Sequence, residues 1–133
     1  MRLFDFFKKK KVTLTEDQCR WKKIWDLWLE EKAEPPYARL MTYKSEVNNG
    51  GHDQYFTNVE IDTDLKEEMS VLETILPSHH KDNLRKAYKA YLVLKVKDDE
   101  SAEKILDQCD DTFYENEAEL DCILKEYAQR IEL

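Results

Sequence analysis

Hydrophobic residues recur along this chain at the spacing of helices, three or four positions apart, rather than in the strict alternation of strands. The first stripe follows a capping box at Thr15-Glu-Asp-Gln18, where the Thr hydroxyl and the Gln side chain satisfy free N–H groups. Its members are Trp21, Ile24, Trp25 and Trp28. Because Trp buries a large apolar area, we expect this stripe to face the core rather than to form an aromatic cage.

Turn signals divide the rest of the chain into further helices. Pro35-Pro36 suits the first turn of a second helix, Asp62-Thr63-Asp64 is a capping-type start, and Ser78 can cap the next helix. The predicted apolar positions of these helices are Tyr37, Leu40, Met41, Val47, Leu65, Met69, Leu72, Leu76, Leu84, Ala87, Tyr88, Tyr91, Leu92, Ala102, Ile105, Leu106, Cys109, Phe113, Leu120, Ile123, Leu124, Tyr127 and Ile131. With only two Gly and three Pro, the chain lacks the frequent turns of a β-sandwich. The pattern predicts an all-α, single-domain helical bundle of about five to seven helices.

The predicted domain spans residues 15–133, and residues 1–14 form a short basic segment in front of it. Three Phe side chains precede the run Lys8–Lys11 in this segment. The apolar part is far too short to cross a bilayer, and the basic run follows it instead of preceding it as in a signal peptide. We expect a frayed or loosely docked terminus, with weak membrane or partner contact as the alternative.

The net charge and the cysteine residues indicate which class of partner and which cellular compartment to expect. The formal net charge is −8, which argues against direct binding to nucleic acid. Cys19, Cys109 and Cys122 show no metal-type spacing, and no secretory signal is recognisable. We therefore expect reduced thiols and a cytoplasmic protein. No transmembrane segment and no cofactor is predicted.

The negative charge is concentrated in the last quarter of the chain, where residues 98–133 contain three basic and 13 acidic residues. At 100° per residue, six of these acids fall within about a third of the circumference of one helix. They are Asp99, Glu100, Glu103, Asp107, Asp110 and Asp111. Two interpretations of this acidic face stay open: a surface that binds a basic partner, or a solvated surface that only aids solubility.

Both glycines of the chain lie side by side within the segment Glu46–Asn58. Gly adopts the left-handed conformation that stops a helix, so Asn49-Gly50-Gly51 predicts a sharp helix stop with positive φ at one glycine. Asp53 is placed to cap the next short helix, and Gln54 and Asn58 share one of its faces. We expect these two carboxamides to bond mainly to backbone and to make a structural corner. A ligand or partner contact is the alternative.

The same segment resembles a bacterial domain family of largely unknown function, named after a DNA-mimic protein, with the pattern Glu-x-x-Asn-Gly-Gly-Phe-x-Gln-Tyr-Phe-x-Asn. The matching residues are Glu46, Asn49, Gly50, Gly51, Gln54, Tyr55, Phe56 and Asn58. His52 stands where the family usually has Phe, so we expect this position to be less buried or to make a polar contact. The resemblance, from about residue 37 to the C-terminus, implies an all-α fold and non-enzymatic protein binding. It points to no catalytic residue.

Sequence patterns of catalysis and metal binding are missing. There is no phosphate-binding Gly-rich loop, no H-E-x-x-H and no calcium-loop pattern. His79 and His80 are adjacent, so on a helix we expect them to diverge by about 100° and not to chelate one ion. Glu46, His52 and Asp53 offer acid–base groups beside the glycine turn, but no nucleophile at a recognisable elbow accompanies them. We therefore assign no catalytic, cofactor-binding or metal-binding residue.

Three functional hypotheses follow from the sequence. The first is a non-enzymatic binding module whose acidic face acts as a DNA-mimic inhibitor or regulator of a basic nucleic-acid-binding protein. An immunity protein against a toxic nuclease is a close variant. The second is a small enzyme or ligand-binding domain with a pocket near Gly50-Gly51, lined by Glu46, Gln54 and Asn58. The third is an accessory domain whose acidic face serves solubility alone. The oligomeric state is left open.

Overall fold

Six helices lie within residues 13–133, the part of the chain that the computed structural model describes. They are α1 (Glu16–Leu29), α2 (Pro35–Asp62), α3 (Leu65–Glu73), α4 (Ser78–Leu94), α5 (Glu100–Glu115) and α6 (Glu117–Gln129). No strand occurs among these residues, so the all-α prediction is confirmed. None of the six helices is both long and apolar enough to cross a membrane. The predicted basic segment 1–14 lies almost entirely outside the described residues.

The long helix α2 is the centre of the bundle, because every other helix packs against it. The most extensive contact between helices is that of α4 with α5, while α1 packs mainly on α6. A helix surrounded on several sides carries apolar residues on more than one face. The fully buried apolar side chains of α2 include Leu40, Met41, Tyr43, Val47, Tyr55 and Phe56. The prediction that Leu92 lies on the apolar face of α4 is wrong: it is 42% exposed, because it lies about 100° around the helix from the buried Tyr91.

Most helix starts follow the signals in the sequence. The Thr15 hydroxyl accepts from the Gln18 N–H, and the Gln18 side chain accepts from the Thr15 N–H, as a capping box requires. Asp64 accepts from two amides of the first turn of α3. The predicted cap at Ser78 is wrong, because Ser78 is already the first helical residue. Pro77 precedes it with φ −58° and ψ 152°, and the Pro ring fixes the φ angle of this entry to α4.

The tryptophan stripe of α1 packs on the core without entering it. Ile24 is fully buried, whereas Trp21, Trp25 and Trp28 are half-buried. The neighbouring Trp rings meet edge to face, and Trp28 donates its Nε1–H to the Thr42 hydroxyl at 2.9 Å. The prediction that the tryptophan stripe faces the core is confirmed. The rings cover an edge of the core rather than its interior, because α1 packs mainly on α6 and α2, at one side of the bundle.

Candidate functional site: the glycine kink and the acidic helix

A break at Gly50 and Gly51 interrupts α2 within the motif. Gly50 (φ −162°, ψ 19°) and Gly51 (φ 80°, ψ −178°) both leave the helical region, after which the helix resumes. Gly51 confirms the predicted positive φ, and this combination of angles is almost confined to Gly. Gly51 is buried, and a Cβ added there would overlap the Asp110 carboxylate. The predicted helix stop is therefore a kink, from which α2 continues to Asp62.

Asp110 of α5 closes this kink. Its Oδ1 accepts from the His52 backbone N–H at 2.8 Å and from the ring Nδ1 at 2.6 Å. Because a carboxylate only accepts, the ring donates from Nδ1 to Asp110, and its Nε2 is hydrogen-bonded to the Tyr43 hydroxyl at 2.6 Å. Burial raises the pKa of Tyr43 well above its usual value, which keeps the hydroxyl protonated. The chain Tyr43–His52–Asp110 thus joins both halves of α2 to α5.

This hydroxyl–imidazole–carboxylate order is the one that activates a nucleophile in some enzymes. Here Tyr43 and His52 are both 0% exposed, so no substrate reaches the hydroxyl. The acid–base group suggested by the sequence is also not assembled, because the partners of His52 are Tyr43 and Asp110 rather than Glu46 and Asp53. The arrangement is a structural lock between two helices.

Glu46 bridges the kink through a second set of hydrogen bonds. Its Oε2 accepts from Gln54 Nε2 at 2.9 Å and from Asn58 Nδ2 at 2.8 Å. The prediction that these two carboxamides bond mainly to backbone is therefore wrong. A carboxylate is a stronger acceptor than a carbonyl already used within a helix, and the kink leaves Glu46 within reach. Asp53, predicted to cap the second half of α2, is exposed and makes no capping hydrogen bond within residues 13–133.

His52, at the position where the resembling family usually has Phe, is as buried as a Phe would be and still makes polar contacts. Of the two expectations for this position, the polar contact is confirmed and the lower burial is wrong. The two aromatic residues that follow in the motif, Tyr55 and Phe56, are also buried. The Tyr55 ring packs on Tyr43, and the Phe56 ring packs on His52. Asn49 is exposed at the kink. The motif therefore mainly builds the kink and the core around it.

The six acids of the predicted acidic face divide into two groups. Asp110 binds His52. Asp99 caps α5, because its Oδ1 accepts from the Ala102 N–H at 3.0 Å, and its Oδ2 lies 3.8 Å from Lys97 Nζ. The other four side chains are exposed, and no basic group of residues 13–133 lies within 4.0 Å of them. We call these four the outer acids: Glu100, Glu103, Asp107 and Asp111.

Several acids of α6, by contrast, are paired within the fold. Lys44 of α2 lies 2.9 Å from Glu117 Oε2 and 3.1 Å from Asp121 Oδ1. Burial lowers the pKa of Lys44, but the two carboxylates beside its ammonium group outweigh burial and raise the pKa overall. The carboxylate of Glu119 lies 2.6 Å from His79 Nε2. The outer acids of α5 therefore form a row of exposed C-terminal charge that the described fold leaves unpaired.

An open groove of about 680 Å³ runs beside the motif. Its lining includes Trp28, Pro35, Arg39, Glu46, Asn58 and Glu68. Four polar side chains of this lining pair with each other, because Asn58 donates to Glu46 and Arg39 Nε lies 2.9 Å from Glu68 Oε1. Gln54, the third expected lining residue, does not contribute. The groove differs from the deep polar pocket that the ligand-binding hypothesis expects.

His79 and His80 do not diverge as the helical angle predicts. Their ring centroids are 4.9 Å apart, and a ring nitrogen of each lies within 4.8 Å of the other and of a Glu119 oxygen. The 100° angle fixes only the direction of each Cβ, and side-chain torsions bring the rings together. The geometric argument against a shared ion is therefore wrong. Burial lowers the pKa of His80, which favours its neutral ring.

The chain matches a known protein family. The profile of the DMP19-like protein family covers residues 32–131, which include α2 to α6 with the kink and the outer acids. No curated protein and no solved structure matches the chain. The profile extends the resemblance carried by the Gly50-Gly51 motif over all the helices that build the site. Because it matches most of the chain, this protein belongs to the DMP19-like protein family.

Proposed function

We propose that the protein is a non-enzymatic acidic binding module that acts as a DNA mimic and inhibits or regulates a basic nucleic-acid-binding protein. The observation that carries this proposal is the row of outer acids on α5, exposed and without an ion-pair partner among residues 13–133. Membership of the DMP19-like family supports a role of this kind, since the family resemblance implies DNA mimicry.

The length and charge of the row are compatible with a phosphate backbone. The outer acids run from Glu100 to Asp111, which is about 16 Å along a helix that rises 1.5 Å per residue. One DNA strand carries a phosphate every 3.4 Å, or roughly five phosphates over the same length. Four carboxylates on one side of α5 approach that charge density. A protein surface that binds phosphates with Lys and Arg would meet a similar pattern here.

The kink motif supports this function indirectly, because it positions α5. Asp110 ties the middle of α5 to the kink, and the Tyr114 hydroxyl donates to the Val47 carbonyl at 2.8 Å. From the other side, Asn83 Nδ2 donates to the Cys109 carbonyl at 2.8 Å. A row of charges on a helix held at these points loses little freedom when a partner binds. On this proposal the buried motif holds α5 in place, and the exposed acids of α5 contact the partner.

Two alternatives differ in how well the geometry supports them. An immunity protein that neutralises a toxic nuclease would use the same acidic row, because its target also presents a DNA-binding surface. The identity of the bound partner separates this variant from a regulator of transcription or repair. A small enzyme or ligand-binding domain has less support, because Glu46 and Asn58 of the groove bond to each other and the Tyr43 hydroxyl is buried.

Partner capture from a lysate, with elution in a salt gradient, tests the proposal. The test variant combines Glu103→Lys, Asp107→Lys and Asp111→Lys. A matched control combines Glu67→Lys, Asp82→Lys and Glu126→Lys, three exposed acids on other helices. Both variants change the net charge by the same amount, so an effect of total charge is common to the two. Asp110 is left intact because it holds His52, and Glu68 because it pairs with Arg39.

The captured partner is then titrated against the wild-type protein and both variants at two salt concentrations. We expect the wild-type affinity to fall steeply with salt, because exposed charges are screened within about 8–10 Å. The outer-acid variant should bind about tenfold or more weakly, chiefly through slower association, and the control should bind nearly as wild type. Equal affinities of the two variants, or a partner without a nucleic-acid-binding surface, would contradict the proposal.

A further inference from the structure

A cluster of metal-ligating side chains lies apart from the kink and the outer acids, where the start of α4 meets the start of α6. His79 and His80 are the second and third residues of α4, and Glu119 lies in the first turn of α6. One ligand atom of each lies within 4.8 Å of the other two. The His79 Nε2 and Glu119 Oε2 atoms are only 2.6 Å apart. Three donors therefore converge on one small volume.

The buried ring of His80 provides an independent observation. His80 is 1% exposed, and its Nε2 donates to the Asn116 carbonyl at 3.0 Å. Because a carbonyl only accepts, this bond places the proton on Nε2 and leaves a lone pair on Nδ1. The buried Nδ1 has no hydrogen-bond partner among residues 13–133. A buried polar atom without a partner is unfavourable, and coordination of a metal ion would satisfy it.

We propose that His79, His80 and Glu119 bind a divalent transition-metal ion, with Zn²⁺ as the ion that fits this set best. Two imidazoles and one carboxylate are among the donor sets that zinc uses, whereas Ca²⁺ and Mg²⁺ prefer oxygen ligands. A backbone carbonyl behind one imidazole, as Asn116 supplies, is the usual contact that orients a metal-binding ring.

The present separations allow such a site after small rotations of exposed side chains. Zinc bonds of about 2.0–2.1 Å in a tetrahedron place neighbouring ligand atoms roughly 3.4 Å apart. The side chains of His79 and Glu119 are 50% and 43% exposed, so both are free to change rotamer, while His80 stays fixed by Asn116. Three protein ligands leave a fourth position on the ion for water or for a side chain of another molecule.

Calorimetric titration of the full-length, tag-free protein with ZnCl₂ tests this site. We expect saturable binding of one Zn²⁺ per chain and no comparable binding of Mg²⁺. The chain contains three His, so each imidazole can be followed by NMR. The ring resonances of His79 and His80 should shift on addition of Zn²⁺. Those of His52, held between Tyr43 and Asp110, should not, which provides an internal control.

Variants of the exposed ligands separate this site from adventitious binding. His79→Ala and Glu119→Gln should each raise the Kd for Zn²⁺ on the order of tenfold or more. Cys122→Ser removes an exposed thiol of α6, and Glu126→Gln removes an exposed acid of the same helix. Both controls should leave the Kd unchanged. Absence of saturable binding, an unchanged Kd in either ligand variant, or loss of binding only in Cys122→Ser would overturn the inference.

Discussion

Asp110 and Asp107 lie about one turn apart on the acidic face of α5, yet their carboxylates have different surroundings in the fold. Asp110 faces the kink of α2 and accepts two hydrogen bonds from His52. Asp107 is exposed, with no basic group of the described chain within ion-pair distance. A helical projection places both on one face because it contains no information about neighbouring helices. The role of each carboxylate is set by what lies opposite it.

This difference separates stability from binding along a single helix. The carboxylate that faces α2 is a part of the fold, and its removal leaves buried donors without an acceptor. The carboxylates that face solvent contribute little to stability, because water and salt screen them. Substitutions on the inner edge should therefore act on the free energy of unfolding, and substitutions of the outer acids should act on association with a basic partner.

The strongest way to break the inner contact is a side chain at Gly51. Gly51→Ala introduces a Cβ at φ 80°, and that Cβ overlaps the Asp110 carboxylate. We expect a loss of about 3 kcal/mol in the free energy of unfolding, since the backbone strain adds to the loss of the His52 bonds. Urea denaturation followed by circular dichroism measures this loss.

Gly50→Ala is the matched control for that substitution. Gly50 has φ −162°, which any residue adopts, and an added Cβ would displace the Gln54 side chain, whose own Cβ would lie 2.9 Å from it. We expect a smaller loss of about 1 kcal/mol, from the hydrogen bond between Gln54 and Glu46. Equal losses in the two Gly variants would show that the contact of Gly51 with Asp110 has no special role.

Truncation of each carboxylate tests whether Asp110 and Asp107 differ in their contribution to stability. Asp110→Ala removes the acceptor of the His52 backbone and ring N–H groups, so we expect a loss of about 2 kcal/mol in stability. Asp107→Ala removes only an exposed charge, and its effect should stay within about 0.5 kcal/mol of zero. Parallel urea titrations give both values. Similar losses for the two variants would mean that α5 does not have distinct inner and outer edges.

The His52 ring, which lies between Tyr43 and Asp110, allows a test of how strongly these hydrogen bonds are coupled. His52→Phe restores the residue usual in the resembling family, but it leaves the buried Tyr43 hydroxyl without a partner. We expect His52→Phe to lower the free energy of unfolding by about 1–2 kcal/mol. Adding Tyr43→Phe removes the orphaned hydroxyl and should recover part of this loss, with a coupling energy of about 0.5–1.5 kcal/mol in a double-mutant cycle. Strictly additive losses would show that the two side chains do not act together.

The sequence predicted those features that depend on nearby residues. The capping box at Thr15 and the positive φ at Gly51 follow from local chemistry, and the structure confirms both. The partner of His52 lies 58 positions away, and nothing in the spacing of acids on α5 distinguishes Asp110 from its neighbours. The bonding of Gln54 was missed for a related reason, since only the geometry of the kink brings the Glu46 carboxylate within reach.

Asp107→Lys should change the stability least of these substitutions. Asp107 has like charges four residues away on both sides, Glu103 and Asp111, and like-charge pairs at this spacing destabilise a helix. Asp107→Lys turns both pairs into attractive ones, at the cost of a new repulsion from Lys104. We therefore expect a gain of about 0.3–0.5 kcal/mol at low salt, which should fade as salt rises. Thermal unfolding at two salt concentrations measures the gain. The same substitution should weaken partner binding, so an acid that lowers stability would be one that serves recognition. A loss of stability in Asp107→Lys would instead assign Asp107 an inward role like that of Asp110.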